Sequence, residues 1–149
     1  MEIEEKIQKL RTQFDSCSQW EDKYKYMIGL GKQLGPLDLD LKLDKYKVQG
    51  CQSQVWLVPA LSDGLLYFKA DSDSSLVKGI ISLLLEVYSG VEPRKILAHP
   101  PEFLAELGVT EHLSLNRTNG LGHMVRKIQT YAGLFNQLVE KGMTDVDQI

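Results

Sequence analysis

The sequence has 149 residues, of which 43% are hydrophobic and 25% charged, with a net charge of −3 and a pI near 5.6. This length and composition predict a single globular domain, residues 1–149, with a sizeable core. Lysine and arginine nowhere cluster densely enough to neutralise a phosphate backbone or an anionic membrane, so we expect neither nucleic acid nor membrane as a partner. No apolar run approaches the about 20 residues of a membrane span, and the amino terminus lacks the apolar core of a signal peptide.

The two cysteines, Cys17 and Cys51, are too few for a secreted disulfide scaffold. A cytoplasmic protein with two free thiols is therefore expected. The cysteines and histidines show no C-x-x-C or H-x-x-x-H spacing, so we expect no metal site and no cofactor.

Two helices are predicted at the start of the chain. Apolar residues recur at helical spacing over residues 3–15, namely Ile3, Ile7, Leu10 and Phe14. Ser18 to Glu21 match a capping box, which predicts that a second helix begins there and ends near Gly31 or Gly35. Residues 36–45 alternate leucine with Asp or Lys, but Pro36 and three aspartates argue against a central strand. We interpret this stretch as an extended, exposed connection.

Three strands are predicted in the middle of the chain, over residues 46–49, 54–60 and 65–70. Asp63 and Gly64, between the last two strands, form the dipeptide that favours a β-hairpin turn. Four helices follow, over residues 76–89, from Pro93, over 101–107, and from Arg117 or Thr118 to Lys141. A frayed tail is expected over residues 142–149. The order of elements predicts an α+β fold, a small three-stranded antiparallel sheet packed with several helices.

Cys51 is the residue whose setting indicates chemistry. It follows Gly50, which permits a positive φ angle, and it precedes the polar run Gln52 to Gln54 and a strand that should be buried. A loop thiol held by a rigid strand is one interpretation, and a small buried side chain is the other. His99, His112 and His123 are candidate bases for a Cys–His hydrolase, although no local signature pairs any of them with the thiol.

Four stretches of this sequence together resemble the SufE family of sulfur acceptors. They are "WEDKYKYMIGLGKQL" at residues 20–34, "GCQSQVWL" at 50–57, "DSDSSLVKGI" at 71–80 and "NRTNGL" at 116–121. They lie in the order of the family and the likeness extends over roughly residues 14–139. Asn116, where the family more often has serine, departs from the pattern. Gln-Ser-Gln after the cysteine favours the SufE branch over the related CsdE branch.

The resemblance implies a SufE/IscU-like fold in which Cys51 accepts sulfane sulfur from a SufS-like cysteine desulfurase that uses pyridoxal phosphate. Cys51 would stimulate that enzyme, carry the sulfur as a persulfide and pass it to a SufBCD-like iron–sulfur scaffold. Independent turnover is not expected, and a homodimer is left open. Asp73 and Arg117 align with polar positions near the cysteine loop or the partner surface; a helix cap and a structural ion pair are their alternative roles.

Two other classes of function remain as alternatives at this point. One is the Cys–His hydrolase, and the other is an IscU-like scaffold that binds the cluster itself. A cluster scaffold needs about three or four ligands, usually cysteines, whereas this chain has two cysteines in all.

Overall fold

Six α-helices surround one antiparallel hairpin in residues 2–147, the part of the chain that the computed structural model describes. Met1 and residues 148–149, the end of the predicted tail, lie outside the described residues. The strands are β1 (Val55–Ser62) and β2 (Leu65–Ser72). The helices are α1 (Ile3–Asp15), α2 (Trp20–Leu34), α3 (Ser75–Tyr88), α4 (Pro93–Ala98), α5 (Glu102–Glu106) and α6 (Leu115–Glu140).

The prediction of a third strand is wrong, since the sheet of the described residues has two strands and the α+β class alone is confirmed. Residues 44–46 form a 3₁₀ turn, and Lys47 makes a single β-bridge to Trp56 before Gly50 turns the chain away. The predicted hairpin is confirmed, with its turn at Asp63 and Gly64. Asp63 and Gly64 both have positive φ angles, 52° and 78°, as a two-residue type I′ turn requires.

Helix α3 is the centre of the core, as its nearly continuous apolar sequence predicts. It packs on β2, α1, α2 and α6, and Ile81, Leu83 and Leu84 are completely buried. Gly79 lets α2 and α3 approach closely, because a Cβ atom there would lie 2.5 Å from the carbonyl oxygen of Met27.

The observed helix boundaries agree closely with those predicted from the sequence, except that the predicted N-cap of α2 is not formed. This helix ends at Leu34 with Gly35 as its C-cap, as predicted, but its N-cap is Gln19 and no side chain caps it. The capping box at Ser18 is therefore wrong. Helices α3 and α6 do have side-chain caps, where Ser74 and Ser114 accept hydrogen bonds from Val77 N–H and Arg117 N–H.

The interpretation of residues 36–45 as an exposed connection is wrong in part. Leu37 and Leu41 are buried in a second apolar cluster that covers the outer face of β1, together with Tyr46, Trp56 and Val58. Polar contacts fix this segment to the end of β2 at a site that we call the Asp71 corner (Leu37, Lys42, Asp71 and Lys78). Asp71 accepts hydrogen bonds there from Leu37 N–H (3.1 Å) and Ser72 N–H (2.8 Å). It also pairs with Lys42 (3.3 Å) and Lys78 (3.1 Å).

The tail is more ordered than predicted. Leu61 and Val146 exchange two backbone hydrogen bonds of 2.8 and 2.9 Å, and Gly64 N–H donates to the carbonyl of Thr144 at 2.9 Å. Residues 144–146 therefore pair with the hairpin, because the reversal of the chain after α6 at Gly142 (φ 92°) returns them to β1.

Candidate functional site

The Cys51 loop, residues 49–53, leads into β1 and is held where it joins that strand. Val48 N–H donates to the carbonyl of Val55 at 2.8 Å, and Val55 and Leu57 are buried in the main core. Gly50 has a φ angle of 90°, in the region that favours glycine. The rigid strand therefore holds one end of the loop, and the glycine gives the other end the turn that it needs.

The thiol of Cys51 is half-buried against α6. Its Sγ lies 3.6 Å from the carbonyl oxygen of Gly120, to which it donates a weak hydrogen bond. A Cβ atom on Gly120 would lie 3.3 Å from Sγ, so the absence of a side chain there lets the helix approach the thiol. Burial raises the pKa of the Cys51 thiol, so less thiolate is present at neutral pH than for an exposed cysteine.

A cavity of about 100 Å³ lies beside the thiol. Val77, Ile80 and Met124 supply its apolar lining, and polar groups at its rim include Ser53, Asn116 and Arg117. A space of this volume accommodates a few atoms, such as an additional sulfur and a water molecule, but not a peptide or an acyl substrate of ordinary size.

Asp73 supports the loop from its second end but does not line the cavity. Its Oδ1 accepts a hydrogen bond from Gln54 N–H (3.0 Å), and its own N–H donates to the carbonyl of Gln54 (3.3 Å). The alternative role as a helix cap falls to Ser74 instead. Asp73 thus connects the residue that follows the Cys51 loop to the start of α3.

Arg117 lies in the first turn of α6 and lines the same cavity as Cys51. Its side chain is exposed, and within residues 2–147 no ion pair or side-chain hydrogen bond engages its guanidinium. A structural ion pair, the alternative role for this residue, is therefore not formed among the described residues. The structure brings Cys51 and Arg117 to one cavity and places Asp73 outside it, against Gln54 at the end of the loop.

The three histidines occupy three different settings. His99 contacts Lys95 and Glu4, and His112 stacks on the indole of Trp20 at 3.9 Å between ring centroids. His123 packs against Gly50, so it alone of the three is shown to contact the Cys51 loop. The thiol itself donates to a backbone carbonyl rather than to an imidazole.

Cys17 lies apart from this site. It follows α1, where its Sγ lies 3.4 Å from the carbonyl oxygen of Gln13, and it does not line the cavity beside Cys51. Both cysteines are free. Sequence reasoning missed Gly120 as the neighbour of the thiol and named His123 only as a candidate base, not as a contact of Gly50. The stretch "NRTNGL" contains Gly120, but no feature of the sequence indicates that its carbonyl faces Cys51.

A model of the SufE family, described as an Fe-S metabolism associated domain, matches residues 8–132. The chain belongs to the SufE family. A solved structure also shares the fold: the solution structure of a hypothetical protein from Thermus thermophilus superposes with a TM-score of 0.73. The two chains are 21% identical over 87% of this chain and 94% of the other, so this likeness concerns the fold alone.

Membership of the SufE family associates this chain with iron–sulfur metabolism, which agrees with the resemblance found in the sequence. The matched residues include Cys51, Asp73 and Arg117. No group of three or more His, Cys, Asp and Glu side chains that could hold a metal ion occurs in residues 2–147. None of the helices described is both long and apolar enough to cross a membrane.

Proposed function

We propose that this SufE-family protein is a sulfur acceptor and carrier in which Cys51 takes persulfide sulfur from a SufS-like cysteine desulfurase. The observation that carries the proposal is the position of the thiol, on a loop anchored to a rigid strand and beside a cavity of about 100 Å³. A loop thiol can enter the active site of another protein, and a small adjacent cavity can shelter one extra sulfur atom afterwards.

The transfer is a thiol exchange on a persulfide. The Cys51 thiolate attacks the outer sulfur of the desulfurase persulfide, a new S–S bond forms on Cys51, and the S–S bond of the desulfurase breaks. The thiolate of the desulfurase leaves with the electron pair, so no external oxidant or reductant is consumed. The same exchange, with Cys51 as the leaving thiolate, passes the sulfur to a SufBCD-like scaffold.

The closed loop keeps Cys51 unreactive between transfers. Burial raises the pKa of the thiol, and Gly120 and the cavity walls restrict its access to solvent. Small thiols and oxidants, which would remove the sulfur or oxidise the cysteine, are thereby kept from it. Docking on the desulfurase turns the loop outward, where the thiol regains an ordinary pKa and can attack.

Two neighbouring residues support this cycle in different ways. Asp73 holds Gln54, so that the loop moves on a fixed base when it opens. Arg117 places a cation at the rim of the cavity, where it can stabilise a thiolate or persulfide anion on Cys51. Both are positioning residues, since sulfur itself is bound by Cys51.

The proposal also covers stimulation of the desulfurase, the location of the protein and its oligomeric state. Stimulation of the desulfurase results when Cys51 removes the sulfur that blocks its next turnover. The two free thiols suit a reducing compartment, which supports the proposal of a cytoplasmic location. A homodimer remains a proposal that size-exclusion chromatography with light scattering would test.

The decisive experiment loads the protein with sulfur. Incubation with a purified SufS-like desulfurase, pyridoxal phosphate and L-cysteine should add one or more sulfur atoms to Cys51, detected by intact-mass and peptide mass spectrometry. Cys51→Ser should abolish the loading, and Cys17→Ser, the matched control, should load normally because Cys17 lies outside the site. Equal loading of the Cys51→Ser protein, or loading at Cys17 alone, would reject the assignment.

The same preparation distinguishes the two alternatives. A Cys–His hydrolase would turn over an acyl ester without any protein partner, and His123→Ala would abolish that activity. A cluster scaffold would develop iron–sulfur absorption on reconstitution with iron and sulfide. Sulfur loading without either result is the outcome that we expect, because the thiol bonds to a carbonyl and the chain has two cysteines in all.

A further inference from the structure

The Cys51 loop and α6 approach each other closely where Gly50 contacts His123. A Cβ atom on Gly50 would lie 2.4 Å from Nε2, 2.5 Å from Cδ2 and 2.8 Å from Cε1 of that imidazole. The ring therefore occupies the space that any side chain at residue 50 would need. Glycine is required here for this contact as well as for its φ angle of 90°.

Arg126 fixes the orientation of the ring. Its Nη2 lies 2.7 Å from Nδ1 of His123, and because a guanidinium can only donate, Nδ1 must accept. The neutral imidazole then carries its hydrogen on Nε2, the atom that faces Gly50. An exposed arginine on the next turn of α6 thus bonds the side of the ring that faces away from Gly50.

A single turn of α6 contacts two successive residues of the loop. Gly120 accepts the hydrogen bond from Cys51, and His123, three residues further on and on the same side of the helix, covers Gly50. The ends of the loop are held elsewhere, by Val48 N–H bonded to Val55 and by Gln54 N–H bonded to Asp73. The tip that bears the thiol is therefore held by α6, through the carbonyl of Gly120 and the imidazole of His123.

We propose that His123 is a positioning residue that holds the Cys51 loop closed, so that the loop opens only when a partner separates Gly50 from the imidazole. This inference deepens the proposed sulfur transfer by naming the contact that controls access to Cys51. The contact itself can be tested with no desulfurase present, so its failure and the failure of sulfur transfer are distinguishable.

The test measures the rate at which iodoacetamide alkylates Cys51, with peptide mass spectrometry and with Cys17 as an internal reference. His123→Ala should raise the Cys51 rate by about tenfold, since loss of the contact enlarges the open population. The Cys17 rate should not change. Gln137→Ala, an exposed change on the same helix, is the matched control and should alkylate at the wild-type rate.

A conservative variant separates the contact from a general loosening of the protein. His123→Gln retains a planar polar group of similar reach over Gly50, and it should return the Cys51 rate to within about threefold of wild type. An unchanged Cys51 rate in His123→Ala would overturn the proposal. A parallel rise at Cys17, which would indicate global loosening, would overturn it as well.

A double-mutant cycle tests whether Gly50 and His123 act through each other. Gly50→Ala should raise the Cys51 rate because the new Cβ and the ring cannot occupy the same space. In Gly50→Ala/His123→Ala the ring is absent and only the strain of alanine at a φ angle of 90° remains, so the combined increase should be smaller than the product of the two single increases. Multiplied rates would mean that the residues act independently, which contradicts the proposal.

A functional measurement follows once the protein has been loaded with sulfur. The Cys51 persulfide of His123→Ala should be reduced by dithiothreitol about tenfold faster than that of the wild-type protein, for the same population reason. The same amount of loaded sulfur at the start, with equal rates of loss, would show that His123 does not shelter the cysteine.

Discussion

The Asp71 corner and the Cys51 loop adjoin the same end of the hairpin, yet their polar groups are satisfied very differently. Asp71 pairs with Trp56 in the strand register and receives two backbone hydrogen bonds and two lysine contacts. The Cys51 thiol has one weak contact of 3.6 Å to a carbonyl. Because many short polar contacts must break together, the corner should open with the whole fold, whereas the loop can open alone.

This difference agrees with the proposed sulfur transfer, in which the Cys51 loop opens while the core stays intact. Lys42 contributes on two sides, since it pairs with Asp71 and lies 5.1 Å from the centre of the Trp56 ring. Trp56, in β1, thus anchors the strand that follows the Cys51 loop. The strongly bonded residues of the corner and the weakly bonded Cys51 meet where Asp71 pairs with Trp56, only five positions after Cys51 in the sequence.

Removal of the Asp71 carboxylate should produce the largest loss of stability. Asp71→Ala leaves two lysines without their buried counter-charge and Leu37 N–H without its acceptor, so the free energy of unfolding should fall by about 3 kcal/mol. Urea denaturation followed by circular dichroism measures it. Asp44→Ala, whose carboxylate is 95% exposed, is the matched control and should change stability by less than about 0.5 kcal/mol. Similar losses of unfolding free energy in both variants would mean that the Asp71 corner stabilises the fold no more than an exposed carboxylate does.

The stability that Asp71 contributes should fall at acid pH, in a range that its lowered pKa defines. Burial acts to raise the pKa of Asp71, but hydrogen bonds from Leu37, Lys78, Ser72 and Lys42 outweigh it and hold the pKa below its ordinary value of 3.8. A carboxyl whose pKa is lower in the folded state stabilises the fold above the unfolded pKa, and this contribution disappears as the pH falls through the folded pKa. The difference in unfolding free energy between wild type and Asp71→Asn should therefore be constant above about pH 5 and should shrink below about pH 4. A difference as large at pH 2 as at pH 7 would exclude the carboxylate charge as its source.

The support that Asp73 gives to the loop should be the smallest of these effects. Asp73→Ala removes the acceptor of Gln54 N–H and should lower the free energy of unfolding by about 1 kcal/mol. The Cys51 alkylation rate should rise only about twofold, because His123 and Gly120 still hold the tip. Asp73→Asn keeps the Oδ1 acceptor and should behave as wild type. A rate increase in Asp73→Ala as large as that of His123→Ala would mean that the base, rather than the tip, controls opening.

The sequence predicts most of the helices, the hairpin and the loop that bears the thiol, but not the tertiary contacts that hold this loop. Helix spacing, the Asp63–Gly64 turn and the cysteine after Gly50 are local signals, and each is confirmed as a structural feature. The burial of Asp71 was missed because its side chain lies on the face of β2 that points away from the main core. From the sequence alone, a charged residue on that face is expected to be exposed. It is buried only because residues 36–45 fold back over that face.

Contacts between distant segments account for the other differences. The predicted third strand fails because residues 46–49 are held to β1 by one bridge, after a 3₁₀ turn. His123 has no distinguishing pattern in α6, and its role depends on a loop that lies far earlier in the chain. Tertiary packing of this kind decides side-chain direction in ways that periodicity does not record.

Several of the hydrogen-bonding groups on the outer edges of the two-stranded sheet are already bonded to other segments of the described residues. On β1, Val48 N–H and Tyr131 Oη bind the carbonyls of Val55 and Leu57, Pro59 has no N–H to offer, and Leu61 bonds to Val146. On β2, residues 89–91 bond to Leu66 and Phe68. Exposed strand edges recruit other chains into aggregates, and proline or a covering segment prevents it. Under the proposed function, partners meet the Cys51 loop and the neighbouring helices, while these bonded positions shorten the strand edge that a second chain can extend.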